Sequence, residues 1–299
     1  GSLPLPLHDL HRLHRAPYRL AESPVWDDRS GKFLWCDILD GTITEMDEHG
    51  AGAQVWNLPP TIGSFGLAES GRLVVALRNA VHLFDRESGT LDLLAEIEPD
   101  EEETRTNDGK VGPDGAFWVG TMHDRKERRP IGALYRVTAS GGVEKKAEGL
   151  HVSNGLAWSP DGRTMYHSDS TGAWVDAWDF DPASGAVSGR RSFLKLDDTI
   201  GRPDGAAMDA EGCYWSCGVS AGRLNRFSPD GELIEFFELP VPAPTMPCFG
   251  GADGRTLVLT SLTDGVSAER VAAYPESGSV LVARTEVAGA PITRFLDQG

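Results

Sequence analysis

The chain has 299 residues, 40% of them hydrophobic, enough to bury a core of domain size. Its 45 acidic residues against 28 basic ones give a formal net charge of −17, which argues against nucleic-acid backbones and anionic membranes and favours neutral ligands or cations. Four cysteines (Cys36, Cys213, Cys217 and Cys248) form no CxxC pair and read as free thiols of a reducing compartment, one bridge being the alternative.

Gly1-Ser2 reads as an expression scar, and LPLPLHDLHRLH lacks the unbroken apolar core of a signal peptide. No apolar run approaches the ~18 residues of a membrane span, so the expectation is a cytoplasmic protein. Residues 1–20 are set apart as an N-terminal segment and residues 21–299 as one domain. His8, His11 and His14 are spaced like ligands but read as incidental at a mobile terminus.

Beyond residue 21 one kind of turn recurs: DDRSG, AESG, GPDG, SPDG, DAEG and GADG end at Gly31, Gly71, Gly115, Gly162, Gly212 and Gly254, spaced by 40, 44, 47, 50 and 42 residues. After each comes a β-rich run (KFLWCD, RLVVAL, AFWVGT, RTMYHSD, CYWSCG, RTLVLTS), then further short strands closing on turns of their own. Helical periodicity is nowhere sustained. About four strands per ~45-residue unit is the pattern of a propeller blade. The expected fold is all-β, a six-bladed β-propeller of four-stranded antiparallel blades around a central channel. HRAPYRL and ITRFL compete to complete the last blade. Trp26, Trp118, Trp158, Trp178 and Trp215 are expected between blades.

Asn154-Gly155 is a strong turn dipeptide, yet Ser159–Gly162 already supplies the turn of that unit. Counting back eight residues from each turn glycine, or nine in the first and longer turn, gives Glu22, Gly63, Asn107, Asn154, Asp204 and Met246. Each enters the first strand of its unit, the strand that lines the channel, so Asn154 is expected to face the axis together with Glu22 and Asp204. Two carboxylates converging there would repel unless one held a proton or a cation lay between them. Glu22, Asn154 and Asp204 are therefore candidate ligands of one divalent metal ion. Hard oxygen donors favour calcium, magnesium, manganese or ferrous iron over a structural zinc site, and catalytic zinc stays open.

AESPVWDD, RTNDGKVGPDGAFWVGTM, SNGLAWSPDGRTMYHSDS and RPDGAAMDAEG resemble the gluconolactonase and regucalcin (senescence marker protein) family, whose members are six-bladed, metal-dependent sugar lactonases. The resemblance covers residues from about Ala21 to Leu262. It implies metal ligands at Glu22, Asn154 and Asp204, in agreement with the register, and substrate contacts at Arg105 and Asn107. The alternative for Arg105 is a surface charge paired with the acidic run Glu98–Glu103. GTMHD and PCFGG look more like bacterial pentonolactone or hexonolactone hydrolases. Where animal members carry a substrate-contacting glutamate, this chain has Arg125 after His123 and Asp124, which implies a different preference among five- and six-carbon lactones.

The expected function is a metal-dependent hydrolase opening sugar lactones to aldonic acids. A divalent cation can polarise the carbonyl or lower the pKa of bound water. Asp204 is the candidate catalytic base, with cation-activated water as the alternative. The expected partner is a small-molecule sugar lactone, with no nucleic acid or membrane, for a monomer or weak homo-oligomer. Two other readings are kept: a calcium-binding regulatory protein without turnover, and a propeller hydrolase of other lactones or phosphotriesters. His123, His151 and His167 lie near channel segments, where a substrate contact and a hydrogen-bonded structural role compete.

Overall fold

Why the turn signals recur is visible in a computed structural model, which describes residues 7–298. All six turn glycines adopt positive φ, between 69° and 93°, where a side chain would be strained. Each turn joins the first two strands of a four-stranded antiparallel sheet, and six such sheets make a six-bladed β-propeller. The first strands are Ala21–Asp27, Ile62–Leu67, Thr104–Val111, Ser153–Trp158, Pro203–Met208 and Pro244–Gly250. Each touches the first strand of the blade on either side, and Ala21–Asp27 meets Pro244–Gly250 to close the ring.

Nearly every residue of these inner strands is buried, whereas the outer strands are largely exposed, as VEKKAEGL of Val143–Leu150 is. Six apolar clusters hold the described residues together, one at each blade interface. Trp118, Trp158 and Phe180 pack ring to ring between blades three and four, with centroids 5.4–6.1 Å apart. Trp215 lies edge-on to Phe249 between blades five and six, and Trp26 packs on Phe33 where blade six meets blade one. The tryptophans are interblade core, as expected. Emptying one such site costs about 3–5 kcal/mol.

The last blade corrects the division at residue 20. His8–Arg15 is its outer strand, antiparallel to Ser279–Arg284, so the first described residues belong to the propeller. The three spaced histidines therefore lie on a strand and not on a loose terminus. His14 packs near the rings of Tyr18 and Trp35, and His8 reaches Glu286 at 3.4 Å. HDLHRLHR alternates too weakly to announce a strand, because only the sheet edge it covers is apolar. ITRFL adds no strand to the blade. Phe295 is inserted between blades two and three, where its N–H donates to Leu67 O at 2.8 Å. Gly1-Ser2 lies outside the described residues. A six-residue helix, Ala268–Ala273, capped by Ser267, sits in the last blade's final hairpin connection.

Candidate active site in the channel

Every inner strand slips register where the axis residues sit: between Glu22 and Val25, Ile62 and Ser64, Thr106 and Gly109, Asn154 and Ala157, Pro203 and Ala206, and Pro244 and Met246. A bulge re-aims side chains and lets neighbouring residues crowd one face. Ser23, beside Glu22, takes a φ of 55°, which turns its N–H onto Glu22 Oε2 at 2.7 Å. Gly155, beside Asn154, has a φ of 64°. The turn-like chemistry of Asn154-Gly155 thus serves a bulge.

The bulges bring Glu22, Asn154 and Asp204 together. The carboxyl groups of Glu22 and Asp204 are within hydrogen-bonding reach of each other, and Asp204 is in reach of Asn154. Asn154 Nδ2 donates to Ser170 Oγ at 3.0 Å, and its Oδ1 accepts from Gly155 N at 3.3 Å. Burial first, and then the charge of Asp204, pushes the Glu22 carboxyl well above the usual carboxylate range. Asp204 is pushed up to about 6, again by burial first, while hydrogen bonds from Glu22 and Asn154 hold it down and the charge of Asp108 works upward.

Asp108 was not legible as an axis residue, because strict alternation sends it to the opposite face from Asn107. The bulge after Thr106 brings it in. One of its oxygens accepts from Leu156 N at 3.1 Å, and the other is buried without a partner. Burial raises its pKa, and Lys110 opposes the rise. A signal was present in the register. The residues one past the six axis positions are Ser23, Ser64, Asp108, Gly155, Gly205 and Pro247, and only one of them is charged.

Arg105 and Asn107 form a second cluster on the third blade. Arg105 is 5% exposed, so it is not the surface charge of the competing reading. Its Nη1 donates to Asn107 Oδ1 at 3.2 Å and to Thr106 O at 3.0 Å. Asn107 Nδ2 donates to Ser153 O at 2.9 Å. Arg105 Nε has no hydrogen-bond partner and lies 3.5 Å from Asp124, which also accepts from Arg78 at 3.1 Å. Burial first lowers the pKa of Arg105, and the charges of Arg128 and Arg78 work the same way against the support of Asp124.

The three histidines serve the scaffold. His123 is buried, with Nδ1 accepting from Arg129 N at 2.8 Å and Nε2 3.3 Å from Glu103. His151 binds Asp169 at 2.9 Å. His167 binds Ser153 Oγ at 2.7 Å and is driven down to about 3 by burial, so it stays neutral. Arg125 is half exposed and turned onto Asp124 O at 2.7 Å and Glu103 at 3.7 Å.

Among the described residues no three His, Cys, Asp or Glu side chains are grouped to hold a metal ion by themselves. Beside Glu22 and Asp204 the third donor is an amide oxygen. This set still fits a hard divalent cation. Every donor is oxygen, and after burial the charges of Asp204 and Asp108 raise the Glu22 pKa, with Asp108 also raising that of Asp204. An unpartnered Asp108 oxygen adds to the uncompensated negative charge.

A family model described as the SMP-30/Gluconolactonase/LRE-like region matches residues 20–263. A 6-deoxy-6-sulfogluconolactonase of Pseudomonas putida is 41% identical over 92% of this chain and 94% of its own length. A regucalcin of Xenopus laevis is 36% identical over 88% and 90%. Among solved structures, a calcium-binding protein, regucalcin, from Agrobacterium tumefaciens superposes with a TM-score of 0.89 at 28% identity, covering 99% of both chains.

Proposed function

The chain belongs to the SMP-30/gluconolactonase/LRE-like family, and from that premise we propose that it hydrolyses sugar lactones to aldonic acids. The reaction takes place at the carboxylate end of the channel, with one divalent cation held by Glu22, Asn154 and Asp204. The observation that carries this reading is the convergence of those three oxygen-donor side chains from the inner strands of blades one, four and five.

When bound, such a cation supplies Lewis acidity toward a lactone carbonyl and lowers the pKa of water. Asp204, partly accessible and in reach of both other donors, takes the proton from attacking water. Arg105, held by Asn107 and Thr106 O through Nη1 and by Asp124 beside Nε, offers the rest of its guanidinium to an oxygen of the substrate. Asn107 orients that guanidinium and, with it, binds ring hydroxyls or the carbonyl.

The substrate class is the five- and six-carbon aldonolactones. Arg78 and Arg128 add positive charge around Arg105, which suits a lactone bearing an anionic group at its far end. The name of the Pseudomonas putida relative describes a sulfonated lactone of that kind. Four buried, unpaired cysteines fit a reducing compartment, and we place the protein in the cytoplasm.

The experiment is a panel of neutral and anionic aldonolactones assayed with and without chelator. Turnover that disappears with chelator and returns with a divalent cation supports the proposal. Cation binding without turnover of any lactone would leave a regulatory binding protein in its place.

A further inference from the structure

Three positions past each axis residue the channel forms a second ring: Val25, Gly66, Lys110, Ala157, Ala207 and Phe249. All six line a cavity of about 220 Å³ in the half of the channel beyond the carboxylates. Five of these residues are apolar or lack a side chain, and Lys110 is the only cationic residue in the lining. The C-terminal segment Ala290–Thr293 crosses the far opening. It is fixed on one side by Ala290 N to Met208 O at 2.9 Å and on the other by Phe295 N to Leu67 O at 2.8 Å.

Lys110 is poorly satisfied there. Its Nζ donates to Ala206 O at 2.7 Å and forms no salt bridge among the described residues. An ammonium has three donors, so two of them are left over for a ligand, while Asp108 is the carboxylate whose charge supports Lys110 most. The cavity has the volume of roughly seven waters at ~30 Å³ each. That is below the ~300 Å³ at which drug-sized sites begin, so the occupant must be small. Its apolar wall calls for a hydrocarbon body, and its one cation calls for a single anionic head.

We propose that this cavity is a second ligand site that binds a small apolar monocarboxylate, its carboxylate on Lys110 and its hydrocarbon part along Val25, Met208, Met246 and Phe249. The site lies on the turn side of the catalytic cluster, which it borders at Ser23 and Met246. Its existence does not depend on the lactonase reading.

The chain's five methionines provide the test. Met208 and Met246 line the cavity, whereas Met46 and Met165 lie in other interblade clusters, and Met122 pairs with Arg105 at the catalytic end. The intact protein, labelled with ¹³C at the methionine methyls, is titrated with hexanoate and with neutral hexanamide. Hexanoate is expected to shift the Met208 and Met246 signals, leave Met122 unmoved, and bind about tenfold or more tighter than the amide. Lys110→Leu should erase that preference. The site is refuted if Met208 and Met246 stay silent, if acid and amide bind equally, if hexanoate moves Met122 in their place, or if a folded Lys110→Leu protein keeps the preference. Should that variant fail to fold, the wild-type shift pattern and the acid-to-amide ratio decide alone.

Discussion

Arg105 Nη1 donates to Asn107 Oδ1 at 3.2 Å, and the same asparagine gives its Nδ2 to Ser153 O at 2.9 Å. Both ends of the Asn107 amide are thus engaged by protein, and its oxygen is turned to a cation already in the chain. The proposed function makes Asn107 a substrate-side residue and not a metal donor. Asn107→Ala is expected to lower kcat/KM by roughly tenfold to a hundredfold, the range of a hydrogen bond to a charged group. Divalent-cation affinity, measured by calorimetry, should stay within about threefold of wild type. A large loss of cation affinity would move Asn107 into the ligand set.

Asp124 holds Arg105 at 3.5 Å and Arg78 at 3.1 Å. Asp124→Asn keeps the shape and removes the charge that fixes two guanidinium groups. The expected outcome is a KM raised by about tenfold, with a smaller change in kcat, because the arginine is loosened and not removed. The split between the two constants is the check, since general destabilisation would lower the active fraction and leave KM alone.

Arg125 is the residue at which the resemblance implied altered specificity. Its side chain is turned onto Glu103 and the Asp124 carbonyl. Arg125→Glu should therefore leave the ranking of lactones unchanged, each kcat/KM moving by no more than about twofold, and cost up to ~1 kcal/mol of stability as an exposed pair is lost. A reordered substrate profile would show that Arg125 swings into the mouth when substrate binds.

The cation-free protein should lose stability as pH rises. Glu22 and Asp204 hold their protons more tightly in the native state than in the unfolded chain, Asp204 to about 6. That contribution is fully present below the unfolded carboxylate value of ~4 and is lost as pH climbs through about 6. A divalent cation competes with those protons, so its stabilising effect should grow over the same interval. Melting temperatures measured from pH 4 to pH 8, with chelator and with added calcium, should diverge increasingly toward pH 8. Parallel curves would mean that the two carboxyl groups are not the cation site.

Much of this was legible in the chain. Six turn glycines placed six inner strands, and their register put Glu22, Asn154 and Asp204 at one end of the channel. Asp108 was hidden because a bulge overrides the two-residue period on which strand reading relies. The first outer strand was hidden because His8–Arg15 owes its conformation to a partner more than 260 residues away, Ser279–Arg284, and carries little pattern of its own. Asp124 and Ser170 were missed for a related reason. They position functional groups from neighbouring loops, and nothing in their local sequence distinguishes them from ordinary turn residues.

The central claim is that Glu22, Asn154 and Asp204 hold one divalent cation on which lactone hydrolysis depends. The most direct measurement is kcat/KM for an aldonolactone, corrected for spontaneous opening, on chelator-stripped protein titrated with a divalent cation, for wild type and for Asp204→Asn. Wild type should be about a hundredfold or more less active when stripped and regain full activity near one equivalent, as expected where an ion supplies several kcal/mol of transition-state stabilisation. Asp204→Asn should stay inactive at every cation concentration while retaining the far- and near-ultraviolet circular dichroism of the folded propeller. Full turnover by stripped wild type, or by stripped Asp204→Asn, would contradict the account.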